Sequence, residues 1–298
     1  MKLSSLLKRA TDKGYFVNIQ GYVDFCSDYL TFISNNLQAI IVSQNENHYR
    51  FYQYGKNANY QITRPINSNL MYDFESFEKV KTQLPRILRN AKDISEKDAK
   101  SRALINNSIY TIQQSIGAAL DALPAGKSNV ARKINGDLFE NFIRLIIRTI
   151  GIDCKAGVVQ IPVFVDGQKQ FDMSYQHDLI IEEEGKIKLI GSIKTSSKDR
   201  IDKIFIDKFL YSKLTETVVP HIAVFLNDVQ RKNTAKKNEY GINATFLPGH
   251  FKGYTVKLNP LDGVYYCDIR PNMLTEAILK DHIKTFDHLV CTDIWSFL

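Results

Sequence analysis

Nothing in these 298 residues approaches the run of roughly 18 apolar side chains that a membrane-spanning helix needs. The opening stretch MKLSSLLKRATDKG has one short apolar patch followed by charges, too short for the core of a secretory leader, so a cytoplasmic chain with no membrane association is expected. Cysteine is scarce and scattered: Cys26, Cys154, Cys267 and Cys291 include no C-x-x-C pair. That argues against a zinc cluster or a disulfide framework and leaves four small buried hydrophobes. Gly126-Lys127-Ser128 imitates the end of a phosphate-binding loop, but the glycine required five residues earlier is Asp121, so the phosphate cradle is missing. No internal repeat or low-complexity tract is present.

What remains is an ordinary globular composition, 24% charged and 44% hydrophobic, enough for one large domain or two modest ones. Lys and Arg number 39 against 32 Asp and Glu, a net charge of +7 that suits an acidic partner but does not demand one. The excess gathers within residues 186–213, where eight Lys and Arg face three Asp.

Along the chain, residues 13–65 alternate aromatic and polar side chains and read as short strands and turns. From about residue 74 to 123 the period becomes helical, with Ile109, Ile112, Ile116, Leu120 and Leu123 at three- and four-residue steps, a mostly helical connector or arm. Pro124-Ala125-Gly126 ends it. Residues 1–123 therefore form an N-terminal α+β region available as a DNA-contacting or dimerisation arm, and residues 124–298 a second unit. There, residues 129–150 form an amphipathic helix closed by Gly151. Strands follow over 156–165, 177–184 and 186–195, the last two joined at Glu184-Gly185 as a hairpin. A helix over 199–214, a strand over 218–227 and a helical tail over 271–289 complete an α/β core with a mixed central sheet flanked by helices.

One constellation carries chemistry. A hairpin symmetric about Gly185 sets Asp178 opposite Ser192, with Lys194 diagonal to it. A carboxylate and an ammonium thus converge where the buried runs Leu179-Ile180-Ile181 and Leu189-Ile190-Gly191 emerge. Phosphodiester hydrolysis uses such a pair: the acid holds a divalent metal, and the lysine polarises water or stabilises phosphate charge. The plainer reading is an exposed salt bridge worth about 0–1 kcal/mol. On the following helix, capped by Ser197 or Asp199, Arg200, Lys203, Asp207 and Tyr211 share a face. Asp207 there either joins the hairpin's charges or simply pairs with Lys203.

These residues resemble the PD-(D/E)xK nuclease superfamily, and more closely the type II restriction endonucleases that read CC/GG-core sites, of the EcoRII, SsoII and NgoMIV kind. In that group the acid expected before x-K is displaced to the following helix. Ser192-Ile193-Lys194 with Asp207 thirteen residues later shows the same departure, although the group usually carries Glu there. His177 replaces the usual Pro before Asp178. A basic-acidic-basic triplet starts four residues after the lysine, here Lys198-Asp199-Arg200. Arg and Lys donate to guanine O6 and N7, and a carboxylate accepts from cytosine N4 in the major groove, so the triplet can read C·G pairs. Asp199 as helix cap with two solvated cations is the alternative, a poor account of two cations where the helix dipole disfavours them. The resemblance covers approximately residues 130–225 and implies a restriction-endonuclease-like core. It implies Mg²⁺ held by Asp178, Asp207 and the upstream helix residue Glu140, with Lys194 orienting water. Glu140 is otherwise an ion-pair partner for Arg144, and Asp137 and Asp172 are weaker candidates for its place.

Two further stretches bear on DNA. Arg231, Lys232, Lys236 and Lys237 follow a strand as a cationic loop, either solvated surface or phosphate contacts beside the cleft. Tyr49, Phe51, Tyr52, Tyr54 and Tyr60, among His48, Arg50, Lys56 and Arg64, either pack strands or press on unstacked bases. The resulting expectation is a homodimeric, Mg²⁺-dependent type II restriction endonuclease cutting double-stranded DNA at a palindrome to leave 5′-phosphates, with a cognate methyltransferase as functional companion. Another nuclease of the same fold, acting in repair or junction resolution, and a non-catalytic DNA-binding module are the alternatives.

Overall fold

A computed structural model of the chain describes every residue except 1, 56–61, 125, 199 and 237–238. The N-terminal part comprises α1 (Leu3–Ala10), α2 (Ile19–Asn36), the strands β1 (Ala39–Val42), β2 (Tyr49–Gln53) and β3 (Ile66–Asn67), then α3 (Phe74–Val80), α4 (Leu84–Arg89) and α5 (Ala99–Leu120). After these come α6 (Ser128–Thr149), β4 (Lys155–Val165), β5 (Gln168–Glu183), β6 (Lys186–Ser196), α7 (Ile201–Thr215) and β7 (His221–Asn227). The remainder is β8 (Val229–Asn233), β9 (Tyr240–Ala244), α8 (Pro248–Lys257), β10 (Gly263–Tyr266), α9 (Pro271–Thr275), α10 (Leu279–His282), β11 (Ile283–Thr285) and α11 (Phe286–Cys291).

The central sheet has the order β11-β10-β7-β6-β5-β4. The ladders β11-β10, β10-β7 and β7-β6 are parallel; β6-β5 and β5-β4 are antiparallel. This is the mixed α/β sheet expected from the sequence. Strand β7 is buried along its whole length, as a central parallel strand covered on both faces must be. On one face Leu138, Phe142 and Ile146 of α6 join Leu179 and Ile181 of β5 in the main core. Truncating one such side chain to alanine would cost about 2–5 kcal/mol. On the other face Ile201, Ile204 and Phe205 of α7 join Ala223 and Phe225 of β7.

The β5–β6 connection turns through Glu184 and Gly185, both with positive φ (51° and 74°), the conformation of a tight primed hairpin turn. Its register pairs Ile181 with Leu189, Ile180 with Ile190 and Leu179 with Gly191. A Cβ at Gly191 would lie 2.9 Å from Leu179 Cδ2 and 3.1 Å from Leu179 Cβ, so any larger residue there would force the buried Leu179 side chain to shift.

Three expectations are corrected. Residues 19–36 are a helix and not strands: Asn18 caps it by accepting from Gly21 N–H, and Tyr22, Phe25, Cys26, Tyr29 and Leu30 repeat at helical spacing inside the core. The 231–237 stretch is no simple loop, since residues 229–233 and 240–244 pair as an antiparallel hairpin; Lys237 lies outside the described residues. The 271–289 tail is not one helix but is broken by β11, which adds to the sheet edge. The helical stretch after residue 74 packs inside: α5 shares the main core with α2 and α6, and Gln113 Nε2 donates to Asn135 Oδ1 of α6 at 3.0 Å. All four cysteines are free and buried. Among the described residues no helix is long and apolar enough to cross a membrane.

Candidate active site

The ladder between β5 and β6 ends at the Leu179–Gly191 pair, while β5 continues along β4. Just beyond that point Asp178 places a carboxylate oxygen 2.9 Å from the backbone N–H of Ile193, substituting a side-chain acceptor for the next ladder bond. The same oxygen accepts from Lys194 Nζ at 2.6 Å. Glu140, brought in by α6, accepts from the same ammonium at 2.9 Å. Two carboxylates therefore share one lysine where the two strands part. Arg144, one turn after Glu140, does not take the ion-pair role the sequence left open; its Nη1 donates to the backbone carbonyl of Asp178 at 2.7 Å.

The electrostatics follow from this crowding. Burial and then the charge of Asp178 raise the pKa of Glu140, despite the opposing ammonium. Burial works against the Lys194 charge, but the two carboxylates, Asp178 foremost, outweigh it and raise the pKa, so the amine stays protonated. Hard oxygen donors of one sign on facing elements suit Mg²⁺, which takes one or two carboxylates and completes its shell with water and phosphate. Among the described residues no group of three or more His, Cys, Asp or Glu is placed to hold a metal.

The other expected site residues fall into two places. Asp207 is not brought to Lys194: it pairs with Lys203 four residues earlier, and its charge acts on Tyr175 and His177. A helix that starts at Ile201 turns Asp207 toward its own neighbour, the outcome the plain i,i+4 reading expects. Its expected place in the metal set is therefore unsupported by contact. Lys198 and Arg200 are exposed at the start of α7, where Arg200 takes the N-cap position without a side-chain cap bond. Asp199 lies outside the described residues. Ser197 is buried and does not cap the helix; its hydroxyl lies 3.4 Å from that of Thr245. Lys198 Nζ reaches Gln230 Oε1 at 3.3 Å, which sets Lys198 beside the basic hairpin carrying Arg231 and Lys232. Arg231 lies over the Tyr240 ring at 5.4 Å and donates to the Ile62 carbonyl at 2.8 Å; Lys232 is exposed.

Asp137 instead binds Lys13 and Lys133, and Asp172 pairs with Lys169. His177 is buried, its ring parallel to Tyr175, and burial lowers its pKa. Of the aromatic band, Tyr49, Phe51 and Tyr52 are buried, so packing accounts for them; Lys56 and Tyr60 lie outside the described residues.

A second polar cluster escaped the sequence. Beyond the ends of β7 and β10, Asp228 and Asp268 are almost wholly buried. Asp268 accepts from Tyr49 Oη at 2.9 Å and Asn67 Nδ2 at 2.8 Å, while Arg270 pairs with Glu46 and lies 3.8 Å from Asp228. Burial raises Asp228 to about 7 and Asp268 to about 6. The cluster fastens β2 and β3 to the strand ends, and the residues lie too far apart in sequence to form a local motif.

No family model and no curated protein matches the chain. Among solved structures, it is similar over 99% of its length and 97% of the other chain to the crystal structure of the type IIP restriction endonuclease Kpn2I, with a TM-score of 0.71 and 20% identity. The complex of the restriction endonuclease PspGI with substrate DNA matches 74% of this chain and 90% of its own, at a TM-score of 0.43 and 13% identity. The Kpn2I likeness establishes a restriction-endonuclease-like fold, a mixed sheet flanked by helices, over nearly the whole chain.

Proposed function

We propose that this chain is a Mg²⁺-dependent type II restriction endonuclease. In this reading it acts as a homodimer on double-stranded DNA, cuts a palindrome with a CC/GG core and leaves 5′-phosphate ends. The observation that carries the reading is the Lys194 ammonium held between Asp178 and Glu140 where β5 leaves β6, on a fold shared with Kpn2I.

Asp178 and Glu140 would hold the metal. When bound, Mg²⁺ supplies positive charge to the phosphate and lowers the pKa of coordinated water. Lys194 gives two of its three N–H groups to the carboxylates, and the third would donate to the attacking water or a phosphate oxygen. Water oxygen bonds to phosphorus, the bond to the 3′ oxygen breaks, and that oxygen leaves with a proton. The 5′ end keeps the phosphate. Lys198 and Arg200, with Asp199 between them, would read the C·G core, and Arg231 and Lys232 would contact the backbone beside it.

Plasmid digestion with Mg²⁺ followed by sequencing of the ends tests this directly, the expected result being one discrete set of fragments. Asp178→Ala and Lys194→Ala should each abolish cutting while DNA binding in Ca²⁺ survives. Retained cutting by either variant would sink the assignment.

A further inference from the structure

The active-site helix also walls a second feature. A cleft of about 610 Å³ lies between α6 and the short helical turn Lys13–Phe16, lined by Lys13, Asp137, Glu140, Asn141 and Arg144 among others. The turn is fixed in place: Phe16 is fully buried, Asn141 Nδ2 donates to its carbonyl at 2.9 Å, and Asp12 accepts from Gly14 N–H at 2.9 Å. Lys13 is thus presented from a rigid base.

Lys13 Nζ, from the lining of this cleft, and Lys133 Nζ, one turn earlier on α6, both approach the same oxygen, Asp137 Oδ2, at 2.5 and 3.3 Å. Two ammonium groups on one carboxylate leave a net positive charge. The lysine side chains are 55% and 76% exposed, so an incoming anion reaches both without opening the core. Asp137 stands one helical turn before Glu140, a rise of about 5 Å. An anion held here lies alongside the candidate catalytic carboxylates.

We propose that Lys13 and Lys133 form a phosphodiester-binding subsite for the DNA strand, holding a phosphate adjoining the one that is cut, with Asp137 as the resident anion that the phosphate displaces. The inference rests on the nuclease reading above and adds to it a substrate contact from the N-terminal segment. Two lysines can hold a phosphodiester because ammonium groups act as point charges with rotatable donors and impose no fixed orientation on it. The contact is to backbone and carries no sequence information.

The test measures binding of cognate and random duplexes in Ca²⁺ across a salt series. Lys13→Gln should weaken both several-fold and reduce the slope of log affinity against log salt by about one. Asp137→Asn should do the opposite and tighten both, since it removes the competing anion. A purely structural ion pair gives the reverse for Asp137→Asn: a lower melting temperature and no gain in affinity. Lys13→Gln with the wild-type slope, or Asp137→Asn binding no tighter than wild type, would overturn the subsite. If the wild type still cuts DNA, the nuclease reading stands. A wild type that neither binds nor cuts DNA with Mg²⁺ removes both.

Discussion

Arg144 donates to the backbone carbonyl of Asp178 at 2.7 Å, so the helix that carries Glu140 also fixes the strand residue whose carboxylate meets it across Lys194. The two acids are therefore held at one spacing by a bond that involves neither side chain. A charge-assisted hydrogen bond of this kind contributes about 1.5–3 kcal/mol.

Arg144→Ala should lower kcat by roughly tenfold or more, because a small displacement of a catalytic group is costly. Arg144→Lys should recover part of the loss, since an ammonium can still donate to the carbonyl. Single-turnover cleavage at saturating enzyme, set beside the melting temperature, separates misplacement from unfolding. Wild-type cleavage by Arg144→Ala would show that the bond does not position Asp178.

Asp207 and Asp178 make opposite predictions. The CC/GG-core expectation drawn from the sequence would give Asp207 a metal-binding role, whereas its contact is with Lys203 on the same helix. Asp207→Asn should keep cleavage within a fewfold of wild type, and the Mg²⁺ concentration for half-maximal rate should stay unchanged. Asp178→Ala should give no product at any Mg²⁺ concentration. A large rise in the Mg²⁺ requirement of Asp207→Asn would restore it as a ligand, reached after a change at the start of α7.

The sequence made the hairpin legible because turn chemistry is local. Glu184-Gly185 marked the turn, which pairs Glu183 with Lys186; a register shift between Ile181 and Glu182, which no turn residue announces, then sets Leu179 opposite Gly191 and brings Asp178 and Lys194 together. The α6 helix was readable for the same reason, its apolar period ending at Gly151 with φ of 98°. Residues 19–36 misled because closely spaced aromatics mimic strand alternation, and only burial on one face distinguishes the helix. The contacts that complete the site span 34 residues for Arg144–Asp178 and 54 for Lys194–Glu140, and no local pattern encodes them. The same holds for the Lys13–Asp137 pair, 124 residues apart.

In the proposed reading, base readout and backbone contact separate by position. Arg200 is exposed at the head of α7, whereas the Arg231 guanidinium already lies on Tyr240 and binds the Ile62 carbonyl. Arg200→Ala should cost about 1–3 kcal/mol on the cognate duplex and little on random DNA, as loss of a bidentate base contact does. Arg231→Ala should weaken both duplexes alike. Equal losses for Arg200→Ala on both duplexes would make it a phosphate contact.

Stability should carry a signature of the buried acids. Burial raises Asp228 from 3.8 to about 7, and the neighbouring charges of Asp268 and Glu46 add to it while Arg270 opposes. Between about pH 4 and 7 the folded carboxyl therefore holds a proton that the unfolded chain has released. The unfolded state binds fewer protons in that window, so this group's contribution to stability falls as pH rises through it and is flat above. Asp228→Asn keeps the shape and cannot ionise, so it should gain melting temperature relative to wild type at pH 8 and gain least near pH 4. Thermal melts of both proteins across pH 4–8 check this. A difference that does not grow with pH would mean that Arg270, 3.8 Å away, holds Asp228 ionised throughout.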